Sequence, residues 1–200
     1  RKKLNHIKNE VILKHESLYL DDIQDLIDKV NIFGYHFASL DIRQDSSIHN
    51  YVFENVITEI FGKKMSDNYK NSSDYDKITF LSNKNFDDLK NEFKNTQVIK
   101  TLGSIAAMRN IQKSNGEKGC NRYIISHNQS ALNILEVFKM FEVIGWKNPS
   151  VDIVPLFETI DDLKNSVSVM ENVYNDNTYR LHLESRNNEQ TIMLGFSDGT

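Results

Sequence analysis

Residues 151–167 read VDIVPLFETIDDLKNSV. The first seven, Val151 to Phe157, are almost wholly apolar or β-branched, with none of the polar alternation of a half-exposed strand. A run of that length and composition reads as a buried strand. A bare carboxylate, Glu158, follows it. A helix then opens at Thr159, with Asp161 and Asp162 in its first turn, where acids suit the helix dipole. A buried strand that stops on a charge and passes straight into a helix is the repeating unit of a parallel sheet.

The same pattern recurs on both sides. CNRYIIS (120–126) reads as a short strand ending at Ser126, followed by the strongly amphipathic SALNILEVFKMFEVIG (130–145), closed by Gly145. Nearer the N-terminus, FGYHFASLDIR (33–43) predicts a strand over about 36–42 that ends at Arg43. The helix after it, within DSSIHNYVFENVITEIFG (45–62), has Asp45, Ser46 and Ser47 as N-cap candidates. Its stripe is Val52, Phe53, Val56, Ile57 and Ile60, and Gly62 stands at its end. EQTIMLGFS (189–197) predicts a fourth strand, ending at Asp198. Helices are also predicted over 16–31 and 98–114, the second broken by the glycines of NGEKG. Residues 63–97, rich in Asn, Lys, Asp and Ser, read as a polar helical insertion on the surface, with 78–84 and 85–95 as its short helices.

Apolar strands alternating with crossover helices predict an α/β fold with about four parallel strands and abundant helices. The strand ends Arg43, Ser126, Glu158 and Asp198 then lie side by side on one edge. In a (β/α) barrel that edge carries the active site. Glu158 and Asp198 offer oxygen ligands to a hard divalent cation, Mg²⁺ or Mn²⁺. To share one ion their carboxylates must lie within roughly 5 Å of each other. Arg43 offers a planar fork to a phosphate or carboxylate. The competing reading has no function in it: acids before helices are common N-caps, and an arginine at a strand end is often salt-bridged.

Among the histidines, His36, His49, His127 and His182 show no metal-ligand spacing and read as exposed, capping or hydrogen-bonded residues rather than ligands. His127 and Asn128 follow a strand end, a position from which they can face the same edge. Cys120 lies on the N-terminal side of its strand and reads as structural; Trp146 reads as core or interface.

With 200 residues, 39% hydrophobic and 26% charged, the chain is sized for one ordinary domain with a sizeable core and is not disordered by composition. A net charge of −4 gives no electrostatic reason to expect nucleic acid or an anionic membrane as partner. No apolar run approaches the ~20 residues of a bilayer span, and a single cysteine fits a reducing, cytoplasmic setting. The missing initiator Met, and a last segment that stops in a turn, predict an internal piece of a longer protein.

Three stretches taken together, FASLDIRQDSSIHN (37–50), IVPLFETIDDLKNSVSVM (153–170) and QTIMLGFSDGT (190–200), resemble the bacterial and plant type of phosphoenolpyruvate carboxylase. That family carries DIRQ-S--H, PLFET-DDL and a signature close to MIGYSDS-KDAG in the same order. RYIISHNQSALNILEVFKMFE resembles its intervening strand and helix. The resemblance covers most of residues 30–200, the tract 63–97 only loosely. It implies a partial (β/α)8 TIM-type barrel over residues 1–200, from an enzyme that adds bicarbonate to phosphoenolpyruvate to give oxaloacetate and phosphate. It implies Mg²⁺ or Mn²⁺ held by Glu158 and Asp198, Arg43 on the substrate phosphate as a catalytic and substrate-binding residue, and a homo-oligomeric full-length protein. It also implies that this chain alone is inactive and has open sheet edges through which two copies can pair. The departures are Phe196 for Tyr, Gly199 for Ser, and His127 where the family has Met. The alternatives are another metal-dependent barrel lyase acting on a phosphoenol or 2-oxo acid, and a non-catalytic helical interaction domain in which the two carboxylates merely cap helices.

Overall fold

The structure is a computed structural model and describes residues 2–34, 36–86 and 92–195. Its four strands, β1 (Asp41–Asp45), β2 (Arg122–Ser126), β3 (Asp152–Phe157) and β4 (Met193–Leu194), form one parallel sheet in chain order. The helices are α1 (Lys2–Lys14), α2 (Leu20–Phe33), α3 (Ser46–Phe61), α4 (Lys63–Asn71), α5 (Asp74–Asn83), α6 (Thr96–Asn115), α7 (Ala131–Val143), α8 (Ile160–Asn175) and α9 (Asn177–Ser185). Parallel neighbours in sequential order, the first three each followed by a helix, make a continuous stretch of wall with no reversal of direction. That is the order of a partial (β/α) barrel.

Register separates the two faces of the wall. Arg43 pairs with Ile124 and Ile124 with Val154, so these three share a face. Ile42, Tyr123 and Ile153 share the other. On that second face Tyr123, Ile125, Ile153 and Phe157 are buried beneath the helices, in one core with Phe53, Val56 and Ile57 of α3 and Ile134, Phe138 and Phe141 of α7. Each such side chain, fully buried, contributes about 1.5–3 kcal/mol. On the first face Ile124, Val154 and Leu156 form a small separate cluster with Met193 against it. The helices therefore cover one face, and the other is a narrow apolar strip with Arg43 on it.

Two expectations need correction. The first strand spans 41–45 rather than 36–42, and Arg43 lies in its middle instead of at its end. Phe37 and Leu40 supply an apolar signal without belonging to the strand. Phe37 has φ 61, is exposed, and stacks its ring on Phe33 at 5.3 Å, continuing the end of α2 rather than a strand. The strand ends at Asp45, which is also the N-cap of α3 and accepts from the Ser47 N–H. The second correction concerns 63–97. Its helices are α4 and α5, the latter close to the expected 78–84, whereas residues 84–86 and 92–95 are not helical. Nor is the tract only surface. Tyr69, Leu81 and Phe86 are buried in the main core, with Phe86 5.4 Å from Phe53 between ring centres. Aromatic residues spread thinly among Asn and Lys carry little periodicity, which is why the pattern hides them. Helices α1 and α9 likewise lie outside the elements expected from the sequence.

The remaining strands follow expectation within two residues at their starts, except that β4 is described only at Met193–Leu194. Gly62 closes α3 at φ 87, a conformation that favours glycine. Cys120 is buried and unbridged, and Trp146 packs edge-on against Phe141.

Candidate active site at the strand ends

Glu158 follows the last residue of β3 and is 5% exposed. It does not cap the helix that follows. The Thr159 hydroxyl accepts from the Asp162 N–H at 3.1 Å, and Asp162 Oδ2 accepts from the N–H groups of Thr159 and Glu158 at 2.9 and 3.3 Å. This capping box satisfies the first turn of α8 and leaves the Glu158 carboxylate for other work. The reading of Glu158 as a mere cap thus fails on geometry.

Both Glu158 oxygens meet cationic or donor groups from other strands. Arg43 Nη2 donates to Oε1 at 2.7 Å. Although Arg43 sits mid-strand, its length carries the guanidinium up to the strand-end rim, where the side chain is 55% exposed. The His127 N–H donates to Oε2 at 3.0 Å, and His127 Nε2 lies 3.4 Å from the same oxygen. His127 is the residue after β2 and takes φ 50, a left-handed conformation uncommon for a non-glycine residue. Its carbonyl accepts from the Ser46 hydroxyl at 2.6 Å. Its ring Nδ1 lies 2.7 Å from Asp45 Oδ2. Backbone and ring are therefore fixed separately, by α3 on one side and Glu158 on the other.

Electrostatics follow from these contacts. The hydrogen bond with Asp45, and then the Glu158 charge, hold the His127 imidazole above its ordinary pKa. Partial burial works to raise the Asp45 carboxyl, but its bonds with His127 and Ser47 outweigh that and hold it below the usual carboxylate range.

Of the residues expected at the site, the fold brings Arg43, Glu158 and His127 together. Asn128 is fully buried behind them. Its backbone N–H donates to the Leu156 carbonyl, and its amide side chain has no hydrogen-bond partner among the described residues. Asp198, expected as the second carboxylate, lies outside the described residues. Local sequence marks Asp45 only as a helix cap; its second contact, across to His127, has no signal there. Gly195 carries no local signal either. Its N–H donates to the Phe157 carbonyl, and a Cβ there would come within 3.1 Å of Glu158 Cα and 3.2 Å of Cγ.

Among the described residues no three His, Cys, Asp or Glu side chains form a complete metal site. The residues present nevertheless fit a share of one. A buried carboxylate, spared from capping and set at the rim, is the donor a hard divalent cation takes.

The sequence model of the family described as phosphoenolpyruvate carboxylase matches residues 1–200. Proteins named phosphoenolpyruvate carboxylase from Gloeobacter violaceus, Nitrosomonas eutropha and Nitrosomonas europaea are 32%, 35% and 34% identical to it over 188, 189 and 189 residues. Each alignment covers 88% of this chain and 20% of the relative, so the chain spans about a fifth of the length of these relatives. With a parallel wall in sequential order, and an arginine and a carboxylate meeting on its C-terminal rim, the match over the whole sequence leaves one conclusion: the chain belongs to the phosphoenolpyruvate carboxylase family.

Proposed function

We propose that this chain supplies the metal-binding and phosphate-gripping part of a phosphoenolpyruvate carboxylase, which adds bicarbonate to phosphoenolpyruvate to give oxaloacetate and phosphate. The observation that carries the reading is the meeting of Arg43 and a buried, non-capping Glu158 at 2.7 Å on the strand-end rim. Glu158 and Asp198 hold Mg²⁺ or Mn²⁺. Bound there, the cation supplies Lewis-acid polarisation of substrate oxygens.

The chain's own groups do the rest. Arg43 spends one of its five N–H donors on Glu158. Its exposed side offers the others to the substrate phosphoryl group, orienting it and offsetting its charge as a bicarbonate oxygen attacks phosphorus and the enol oxygen leaves. The apolar strip of Ile124, Val154 and Leu156 lies on the same face of the sheet as Arg43. On the same reading the longer protein is a cytoplasmic homo-oligomer with small anionic substrates and no nucleic-acid or membrane partner. The net charge of −4 gives no electrostatic reason to expect nucleic acid or an anionic membrane as partner. The family match does not favour another barrel lyase or a helical interaction module.

Calorimetric titration tests the proposal. Mn²⁺ should bind the chain, and Glu158→Gln should weaken that binding by at least about tenfold, the loss of a charge-assisted ligand. Equal Mn²⁺ affinity in the two proteins would remove Glu158 from the metal site. The chain alone should form no oxaloacetate, and detectable formation would overturn the view that its site is only partly built.

A further inference from the structure

We infer that His127 is a further ligand of the divalent cation, through Nε2, beside Glu158. The inference rests on the proposal that Glu158 holds a cation. The sequence pattern reads His127 as an exposed or hydrogen-bonded residue; the geometry gives it more to do.

Three observations carry it. The first is separation: Nε2 stands 3.4 Å from Glu158 Oε2. Two donors each about 2.1 Å from one ion, at neighbouring corners of its coordination shell, lie about 3.0–3.4 Å apart. The second is the other ring nitrogen. Nδ1 lies 2.7 Å from Asp45 Oδ2, and a carboxylate accepts, so Nδ1 is the donor there and a neutral ring, as a cation requires, has its lone pair on Nε2. A histidine that gives its second nitrogen to a carboxylate is the usual outer support of a metal-bound imidazole. The third is preorganisation. The backbone is held at φ 50 by the Ser46 hydroxyl on its carbonyl and by Glu158 on its N–H, so the ring stands on the rim without further rearrangement. Asp45 is itself fixed by Ser47 as the N-cap of α3. Among the described residues, no other histidine contacts Glu158: His49 is buried against Tyr123, and His182 against the Val151 carbonyl.

An imidazole nitrogen added to carboxylate oxygens shifts a site away from Mg²⁺ and towards Mn²⁺ and later transition ions. His127 would therefore set metal preference as well as affinity.

Pulsed electron paramagnetic resonance of the Mn²⁺-loaded chain tests the assignment directly. Directly bound imidazole nitrogen should appear as a ¹⁴N coupling, replaced by ¹⁵N frequencies when histidine is ring-labelled. His127→Gln and His127→Ala should lose the coupling, weaken Mn²⁺ about tenfold or more, and weaken Mg²⁺ less. The labelled wild-type chain carries the test even if both variants fail to fold, because among the described residues His127 is the one histidine in contact with Glu158. If Mn²⁺ binds in a Glu158-dependent way and no nitrogen coupling is seen, the assignment is overturned and the metal site stands. A coupling that survives His127→Gln also overturns it. Absence of Mn²⁺ binding, or binding indifferent to Glu158→Gln, overturns both the assignment and the reading it rests on.

Discussion

Arg43 and Glu158, 115 residues apart in the chain, form a 2.7 Å ion pair in which the glutamate side chain is buried and the arginine side chain is more than half exposed. The asymmetry assigns roles. Glu158 is held; Arg43 is presented. Solvent screens the exposed arginine, but its loss would leave the buried carboxylate short of a partner, so the pair is worth about 1–3 kcal/mol to stability. Its value lies in placing a fork of donors beside a buried carboxylate. Arg43→Ala should therefore leave thermal stability within about that amount, yet weaken phosphoenolpyruvate binding about ten- to a hundredfold, the worth of a charged hydrogen bond. Arg43→Lys should restore only part, since an ammonium cannot make the planar contact. Calorimetry with Mn²⁺ present checks this, and equal affinity in all three proteins would take Arg43 out of the substrate site.

The sequence carried the wall of the fold clearly. Val151–Phe157 and Arg122–Ser126 are short apolar runs flanked by helix signals, and such runs have few other uses in a soluble chain. Glu158 was legible for the same reason, as a charge where burial should continue. The first strand was not. Ile42 is its only apolar residue, flanked by Asp41, Arg43, Gln44 and Asp45, so its hydrophobic signal is too weak to fix its bounds. The strand forms because β2 supplies a parallel partner along its whole length, a tertiary effect with no local trace. The link from Asp45 to His127 and the close approach of Gly195 to Glu158 were hidden alike, since both join segments far apart in the chain.

A second buried carboxylate gives a pH prediction away from the site. Tyr69 donates to Glu136 Oε1 at 2.7 Å inside the helical layer, and Glu136 Oε2 has no partner among the described residues. Burial pushes the Glu136 carboxyl up to about 8 from its ordinary 4.5. The folded state thus holds a proton that the unfolded chain releases. The stabilisation is complete below pH 4.5 and is lost as pH rises through about 8, on the order of a few kcal/mol in all. Urea unfolding between pH 5 and 9 should show the loss, and Glu136→Gln should flatten it. Parallel pH profiles for wild type and variant would mean that the carboxyl ionises as in water.

Two buried histidines act in the opposite sense. Burial lowers both His49 and His182 to about 4 from 6.5. Each is neutral in the folded chain: His49 Nε2 is bonded with the Tyr123 hydroxyl at 3.0 Å, and His182 Nε2 donates to the Val151 carbonyl at 3.0 Å. Their contribution is present above pH 6.5 and is lost as pH falls through about 4, when the unfolded chain takes up protons that the core refuses. Ring-proton NMR should find both imidazoles still neutral at pH 5.5. Titration of either near 6.5 in the folded state would contradict the burial argument.

Gly195 tests how closely the end of β4 must approach the carboxylate. Its N–H donates to the Phe157 carbonyl at 2.9 Å, which ties it to the residue before Glu158. An added methyl would meet Glu158 Cα at 3.1 Å and Cγ at 3.2 Å. Neither atom can yield freely. The Cα belongs to a backbone held by the capping box of α8, and the Cγ carries a carboxylate gripped by Arg43 and His127. Gly195→Ala should cost about 1–3 kcal/mol, the usual range for forced overpacking. It should also move Glu158 by enough to weaken Mn²⁺ several-fold while the far-ultraviolet circular dichroism stays unchanged. Gly195→Ser, with one more atom at the same place, should do more of both. If Mn²⁺ affinity is the same in the alanine variant as in wild type, the glycine serves strand pairing alone and not the position of the carboxylate.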